Sequence, residues 1–119
     1  MTTIEIRLRL VLPKGVRFGP GKAELLDLIH AEGSISAAGR RMDMSYRRAW
    51  ALVEEMNAAF KSPLVASSRG GAAGGGAHLT ELGHDVVARY RRMQDTLATG
   101  CSADLAALEA TLANMHDGE

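Results

Sequence analysis

Cysteine, aromatic residues and net charge are all scarce in this sequence, and each scarcity removes a class of function. The lone Cys101 has no internal disulfide partner and no neighbour spaced for a metal clip, so a reducing, cytoplasmic setting is expected. Five aromatic residues (Phe18, Tyr46, Trp50, Phe60 and Tyr90) are too few for the stacking platforms of single-strand binders. No apolar run approaches the ~20 residues that cross a bilayer. The start, Met1 to Glu5, lacks the basic and apolar regions of a signal peptide, and no membrane partner is expected. What remains, 46% hydrophobic and 24% charged over 119 residues, suits one globular domain with a core of its own.

The zero net charge, 14 basic against 14 acidic side chains, speaks at first against a nucleic-acid partner. The distribution speaks for one. Residues 34–80 carry six Lys and Arg against three Asp and Glu, whereas residues 81–119 carry three against seven. A basic middle beside an acidic end fits a polyanion-facing surface with a separate tail for partners.

Ile4-Glu5-Ile6-Arg7-Leu8-Arg9-Leu10 alternates apolar and charged residues, the pattern of a half-buried strand. Val11-Leu12 extend it, Pro13-Lys14-Gly15 turn, and Val16-Arg17-Phe18 return as a short second strand. After Gly19-Pro20-Gly21, the spacing of Leu25, Leu28, Ile29 and Ala31 predicts a helix, with Gly33 capping its end. A hydroxyl in Ser34-Ile35-Ser36 caps a short helix over about 36–42, small-sided at Ala37, Ala38 and Gly39. Asp43-Met44 turn, and Ser45 caps a longer helix to about Phe60. Its apolar face is Ala49, Leu52, Val53, Met56 and Phe60, and Pro63 closes the segment.

Leu64 to Ser67 and Ala77 to Leu79 flank the glycine-rich run 69–76 and read as two strands around a flexible tip. Thr80 caps a helix to about Ala98 with Leu82, Val86, Val87, Tyr90, Met93 and Leu97 on one face. Gly100 breaks it, and a last helix runs from Ser102 to about Met115, with Leu105, Leu108, Leu112 and Met115 as its stripe.

Helix, short helix, tight turn, helix, hairpin, helix is the order of a winged helix-turn-helix. The expected fold class is therefore α+β, mainly α, with an N-terminal hairpin and C-terminal dimerisation helices. Residues 1–98 form the DNA-binding domain in this reading, and 99–119 an added helix in the dimer interface. The motif needs small residues where its helices cross and hydrogen-bond donors at the start of the second helix. Ala37, Ala38 and Gly39 meet the first demand, and Ser45, Tyr46, Arg47 and Arg48 the second. Arginine forks suit guanine O6 and N7 as well as phosphate oxygens, while Ser and Tyr hydroxyls suit phosphates.

Several blocks together carry a resemblance: Phe18-Gly19-Pro20-Gly21, Gly33 to Ala38, Met44-Ser45-Tyr46-Arg47-Arg48-Ala49-Trp50, Arg69 to Gly76, and Leu79 to Gly83. In this order they resemble the N-terminal DNA-binding domain of ModE-type molybdenum-responsive transcriptional regulators, itself similar to the winged helix of LysR-type regulators. The likeness spans about residues 4–98. It implies a homodimer with one helix in the major groove, a wing near the minor groove and a long helix pairing the subunits. Nothing after Gly100 resembles that family's β-rich molybdate-sensing domains, so molybdate binding is not expected of this chain.

Competing readings are weaker. The glycine run lacks the Gly-Lys-Ser/Thr ending of a phosphate-cradling loop. His78, His84 and Cys101 have no metal-ligand spacing, and His30 reads as a helix-surface residue. No nucleophile–base pair or convergent carboxylates point to an enzyme. Trp50 reads as a packing residue that braces its helix. The expected partners are double-stranded DNA and a second copy of the chain, with no cofactor and no metal. The DNA contacts are expected at Ser36, Ser45, Tyr46, Arg47, Arg48, Arg69, Gly70 and Gly71, and the dimer contacts at Val86, Tyr90, Leu97, Leu105, Leu108 and Leu112. The alternative is an architectural, nonspecific or protein-binding winged helix without operator specificity.

Overall fold

The computed structural model describes residues 4–68 and 76–113. Among these described residues are five α-helices and two small antiparallel sheets, an α+β arrangement that is mainly helical. Strands β1 (Leu10–Val11) and β2 (Arg17–Phe18) pair around a 3-10 turn at Pro13–Gly15, and α1 (Pro20–Glu32) follows at once. Next come α2 (Ile35–Arg41) and α3 (Tyr46–Ala59), then the antiparallel pair β3 (Val65–Ser68) and β4 (Gly76–Leu79). Helix α4 (Glu81–Gly100) and the shorter α5 (Ser102–Glu109) complete the described elements.

Local chemistry sets most of these boundaries. Proline opens α1, where a missing N–H costs nothing. Its end is closed by Gly33, whose N–H donates to Ile29 O at 2.8 Å. Three hydroxyls cap the next long-range elements as their positions predict. Ala37 N–H donates to Ser34 Oγ at 3.0 Å, Arg48 N–H to Ser45 Oγ at 3.1 Å, and Gly83 N–H to Thr80 Oγ1 at 3.0 Å. Each such cap contributes about 1 kcal/mol.

The core gathers one face from every helix except α5. Phe18, Leu25, Leu26, Ile29, Met56, Leu64 and Tyr90 are its largest fully buried side chains. Each contributes about 1.5–3 kcal/mol by leaving water. Helix α4 docks through Gly83, where an added Cβ would run into the carbonyl oxygen of Leu64. Ion pairs add ties at the rim: Lys22 to Glu55 at 2.6 Å between α1 and α3, and Arg91 to Asp27 at 2.6 Å between α4 and α1. The more exposed Arg91–Asp27 pair contributes at most about 1 kcal/mol, and two ion pairs are few beside the buried apolar side chains that hold the body together.

Three expectations change. The strand expected from Ile4 pairs only at Leu10 and Val11, because β2 must end where Gly19 and Pro20 start α1. Leu8, Leu10 and Leu12 still turn one side to the core, so the alternation marks burial without a ladder. The last helix stops at Glu109 instead of about Met115. Tyr90, expected at a dimer interface, has no exposed surface. Its ring meets Phe18 edge-on with centroids 5.2 Å apart, and its hydroxyl donates to Leu8 O at 2.6 Å. That bond pins the N-terminal segment against α4.

Burial raises the pKa of the Tyr90 phenol above 10.0, and the nearby Arg91 guanidinium works against the rise. The folded state therefore holds this proton more tightly than the unfolded chain does, and its contribution is complete below pH 10 and lost as pH climbs past the folded value. Urea unfolding across pH 8–11 is expected to show stability falling above about pH 10. Tyr90→Phe should start about 1 kcal/mol lower, from the unpaired Leu8 carbonyl, and lack this alkaline component of the fall. An identical alkaline slope in both proteins would exclude Tyr90 as its source.

Candidate nucleic-acid interface

The surface around α3 is built by two close approaches. At the first, α2 lies against α3 so tightly that a Cβ on Gly39 would sit 3.0 Å from Ala49 Cβ. The turn between them is locked by Met42 N–H and Met44 N–H to Gly39 O, both 3.0 Å, and Asp43 N–H to Arg40 O at 3.1 Å. Asp43 takes φ +57° there, a left-handed conformation that a short polar side chain tolerates. The small residues expected at a helix crossing, Ala38 and Gly39, are both buried at it.

The second approach ties α3 to β3 through one amide. Asn57 Oδ1 accepts from Leu64 N–H at 2.8 Å and from Val65 N–H at 3.1 Å, while its Nδ2 donates to Val65 O at 3.1 Å. Backbone polar groups leaving a helix end are thereby satisfied without water. Ala77 N–H donates to Gly33 O at 2.9 Å, which fixes β4 to the end of α1. The β-pair is held from both sides.

Helix α3 then presents three strips. Ala49, Val53 and Met56 are buried. Arg48 and Leu52 line one shallow hollow together with Ser45, Arg47, Ala51 and Glu55. Tyr46, Trp50 and Glu54 line a cleft of about 780 Å³ between α3 and the β-pair, which Ser36 and Arg40 of α2 also border. Ser45, Tyr46, Arg47 and Arg48 are all exposed. Neither Arg47 nor Arg48 has a carboxylate partner among the described residues. Glu55, about two turns on, is engaged by Lys22. The Ser45 oxygen is used in its cap, and its O–H remains a donor. Ser36 Oγ accepts from Arg40 Nη1 at 2.9 Å.

Arg69, Gly70 and Gly71 lie outside the described residues. Trp50 corrects its expected role: it is 47% exposed and walls the cleft, since the space beneath α3 is already filled by Val53, Met56 and Leu64. Sequence reasoning passed over Asn57 and Arg40. A single Asn on a half-polar helix carries no periodic signal, and its partners come from a loop that only the fold brings back. His30 and His84, on α1 and α4, stack edge-on with centroids 4.9 Å apart, while His78 Nδ1 and Ser68 Oγ are hydrogen-bonded at 2.7 Å. No group of three or more metal-ligating side chains occurs among the described residues, and none of the described helices is long and apolar enough to cross a membrane.

At the far end, Val86 is half-buried against the core. Leu97 and Leu105 line a hollow of about 400 Å³ with Ile4, Ile6 and Leu8. Leu108 is 55% exposed and Leu112 47%. The molecule is elongated, extending 54 × 33 × 23 Å.

No protein-family model matches the chain. It is similar to the molybdenum-pterin-binding protein MopB of Rhodobacter capsulatus, 42% identical over 84 residues, covering 71% of the chain and 31% of MopB. It is 38% identical over 95 residues to the transcriptional regulator ModE of Yersinia pestis, covering 80% of the chain and 35% of that protein. With the DNA-binding transcriptional dual regulator ModE of Escherichia coli it shares 37% identity over 86 residues, 72% of the chain and 33% of the relative. The chain thus spans about a third of the length of the curated relatives it matches.

Removing the Asn57 amide leaves two N–H donors and a carbonyl of β3 unpaired in a half-buried place. Asn57→Ala is expected to cost about 2–3 kcal/mol in urea unfolding. Asn57→Asp keeps both acceptor bonds and should lose less. Equal losses in the two variants would show that the acceptor bonds to Leu64 and Val65 are not the ones that matter.

Proposed function

We propose that the chain is a binding module, not an enzyme, that reads double-stranded DNA as part of a transcriptional regulator. In this reading α2 and α3 form a helix-turn-helix, α3 enters the major groove, and the β3–β4 pair is the wing beside the minor groove. The observation that carries it is the first turn of α3, where Arg47 and Arg48 stand exposed without carboxylate partners among the described residues. Cations left free on an ordered surface suit guanine edges and phosphates. Free N–H groups at the same helix end favour an anion. The names of the ModE relatives support the same reading.

The module acts as a homodimer, paired through α4 and α5. Exposed Leu108 and Leu112, with Leu97 and Leu105 behind them, offer an apolar face that one small domain does not cover. Val86 contributes at its edge, and Tyr90 does not. A two-fold protein implies a two-fold DNA site.

In vitro selection from random DNA is expected to return a palindromic consensus. Arg47→Ala with Arg48→Ala should weaken binding to it about a hundredfold, two contacts of ~1–3 kcal/mol each, and flatten the salt dependence. Unchanged affinity would remove the role given to α3. A steep salt dependence without any consensus would favour an architectural protein instead. Sedimentation should find a dimer at micromolar concentration and a monomer after Leu108→Glu with Leu112→Glu.

The name of MopB supports a second reading, in which the chain takes part in molybdenum-pterin binding. The DNA reading accounts for the free arginines at the start of α3. Calorimetric titration with molybdate, alongside selection with and without it, separates the two.

A further inference from the structure

We infer that the cleft-facing strip of α3, Tyr46 and Trp50, reads thymine methyl groups in the major groove, while Arg47 and Arg48 on the neighbouring strip take guanines and phosphates. The inference rests on the DNA reading above, gives Tyr46 a base-edge role in place of the expected phosphate contact, and gives a role to Trp50, which that reading leaves idle.

Tyr46 is 56% exposed and Trp50, the sole tryptophan, 47%. Aromatic side chains of this size normally bury 150–250 Å² each. Here the core beneath α3 is complete without them, closed by Ala49, Val53 and Met56. They stand one helical turn apart on the same wall of the cleft, so they form a continuous apolar strip aimed away from the protein's own interior.

The surroundings select the occupant. Arg40 and Ser36 border the cleft, and Arg47 stands on the neighbouring strip, so a polyanion is drawn to this face. Within the strip itself the next residue is Glu54, whose carboxylate repels a phosphate chain but accepts from the amino groups of adenine or cytosine. The strip therefore faces base edges instead of the sugar-phosphate backbone. Among base edges of the major groove the apolar counterpart is the thymine C5-methyl. Four residues of helix rise ~6 Å, close to two base steps of ~3.4 Å, so the methyls read lie within two steps of each other in each half-site.

The test uses the full chain and its selected site, with each thymine replaced singly by deoxyuridine, which deletes only the methyl. Wild-type protein is expected to bind about threefold to fivefold more weakly at one or two neighbouring positions per half-site. Trp50→Ala and Tyr46→Ala, both exposed and expected to fold with unchanged circular dichroism, should each become indifferent to one of those replacements while still rejecting changed guanines. Trp50 emission should shift on binding the thymine site and shift less on the deoxyuridine site. A consensus whose affinity ignores every thymine-to-uracil change overturns this inference alone. So does an alanine variant that keeps the full penalty, or equal competition by the single-stranded site, which would mean stacking on open bases. Absence of any consensus overturns sequence-specific reading of DNA, and this inference with it.

Discussion

The placement of α3 depends on a contact with no room to spare, where Gly39 of α2 passes Ala49 of α3 closely enough that one added carbon would lie 3.0 Å from the Ala49 methyl. Protein interiors do not give way by such amounts without cost. A larger residue at either position would push the helices apart and lift the α3 surface off its support. The locked turn at Asp43, the Ser45 cap and the buried strip Ala49, Val53 and Met56 all assume that contact. The two arginines keep their aim only while it holds.

A second constraint acts at the other end of α3. Asn57 binds the backbone of Leu64 and Val65, at the start of β3, with three hydrogen bonds that tie the helix to the β-pair. The cleft between them is consequently a fixed shape with unlike walls: aromatic on α3, hydroxyl-bearing on the β-pair and at the start of α2. A rigid, pre-shaped surface loses little freedom on binding. That is the sense in which core packing serves the proposed readout.

At the opposite pole the fold leaves apolar surface uncovered. The first half of α4 is absorbed by the body through Gly83, Val87 and Tyr90, whereas beyond the Arg91–Asp27 pair the second half lies beside the N-terminal segment and α5. Leu108 and Leu112 face solvent there. The surfaces at α3 and at α5 thus differ in chemistry, cationic and hydrogen-bonding at the first, apolar at the second. Helix α4, 20 residues and about 30 Å long, carries the chain to α5.

The sequence by itself determined what depends on near neighbours. Caps at Ser34, Ser45 and Thr80, the glycine stop at Gly33 and the apolar stripe of α3 were all legible, because a hydroxyl three residues from its donor or a 3.6-residue period is written locally. Tertiary structure alone decided which apolar residues were spent inside and which were left out. Tyr90 lies on the apolar face of its helix and Trp50 beside that of α3, yet neither position told how its ring would be used. One is buried because Phe18 and the Leu8 carbonyl meet it, and the other is exposed because Val53, Met56 and Leu64 already fill the space beneath. The alternation from Ile4 had the same limit: it marked an inward side, but a strand also needs a neighbour, and Pro20 had turned that neighbour into a helix. Partners distant in sequence, such as Asn57 with β3, exist only once the chain has closed on itself.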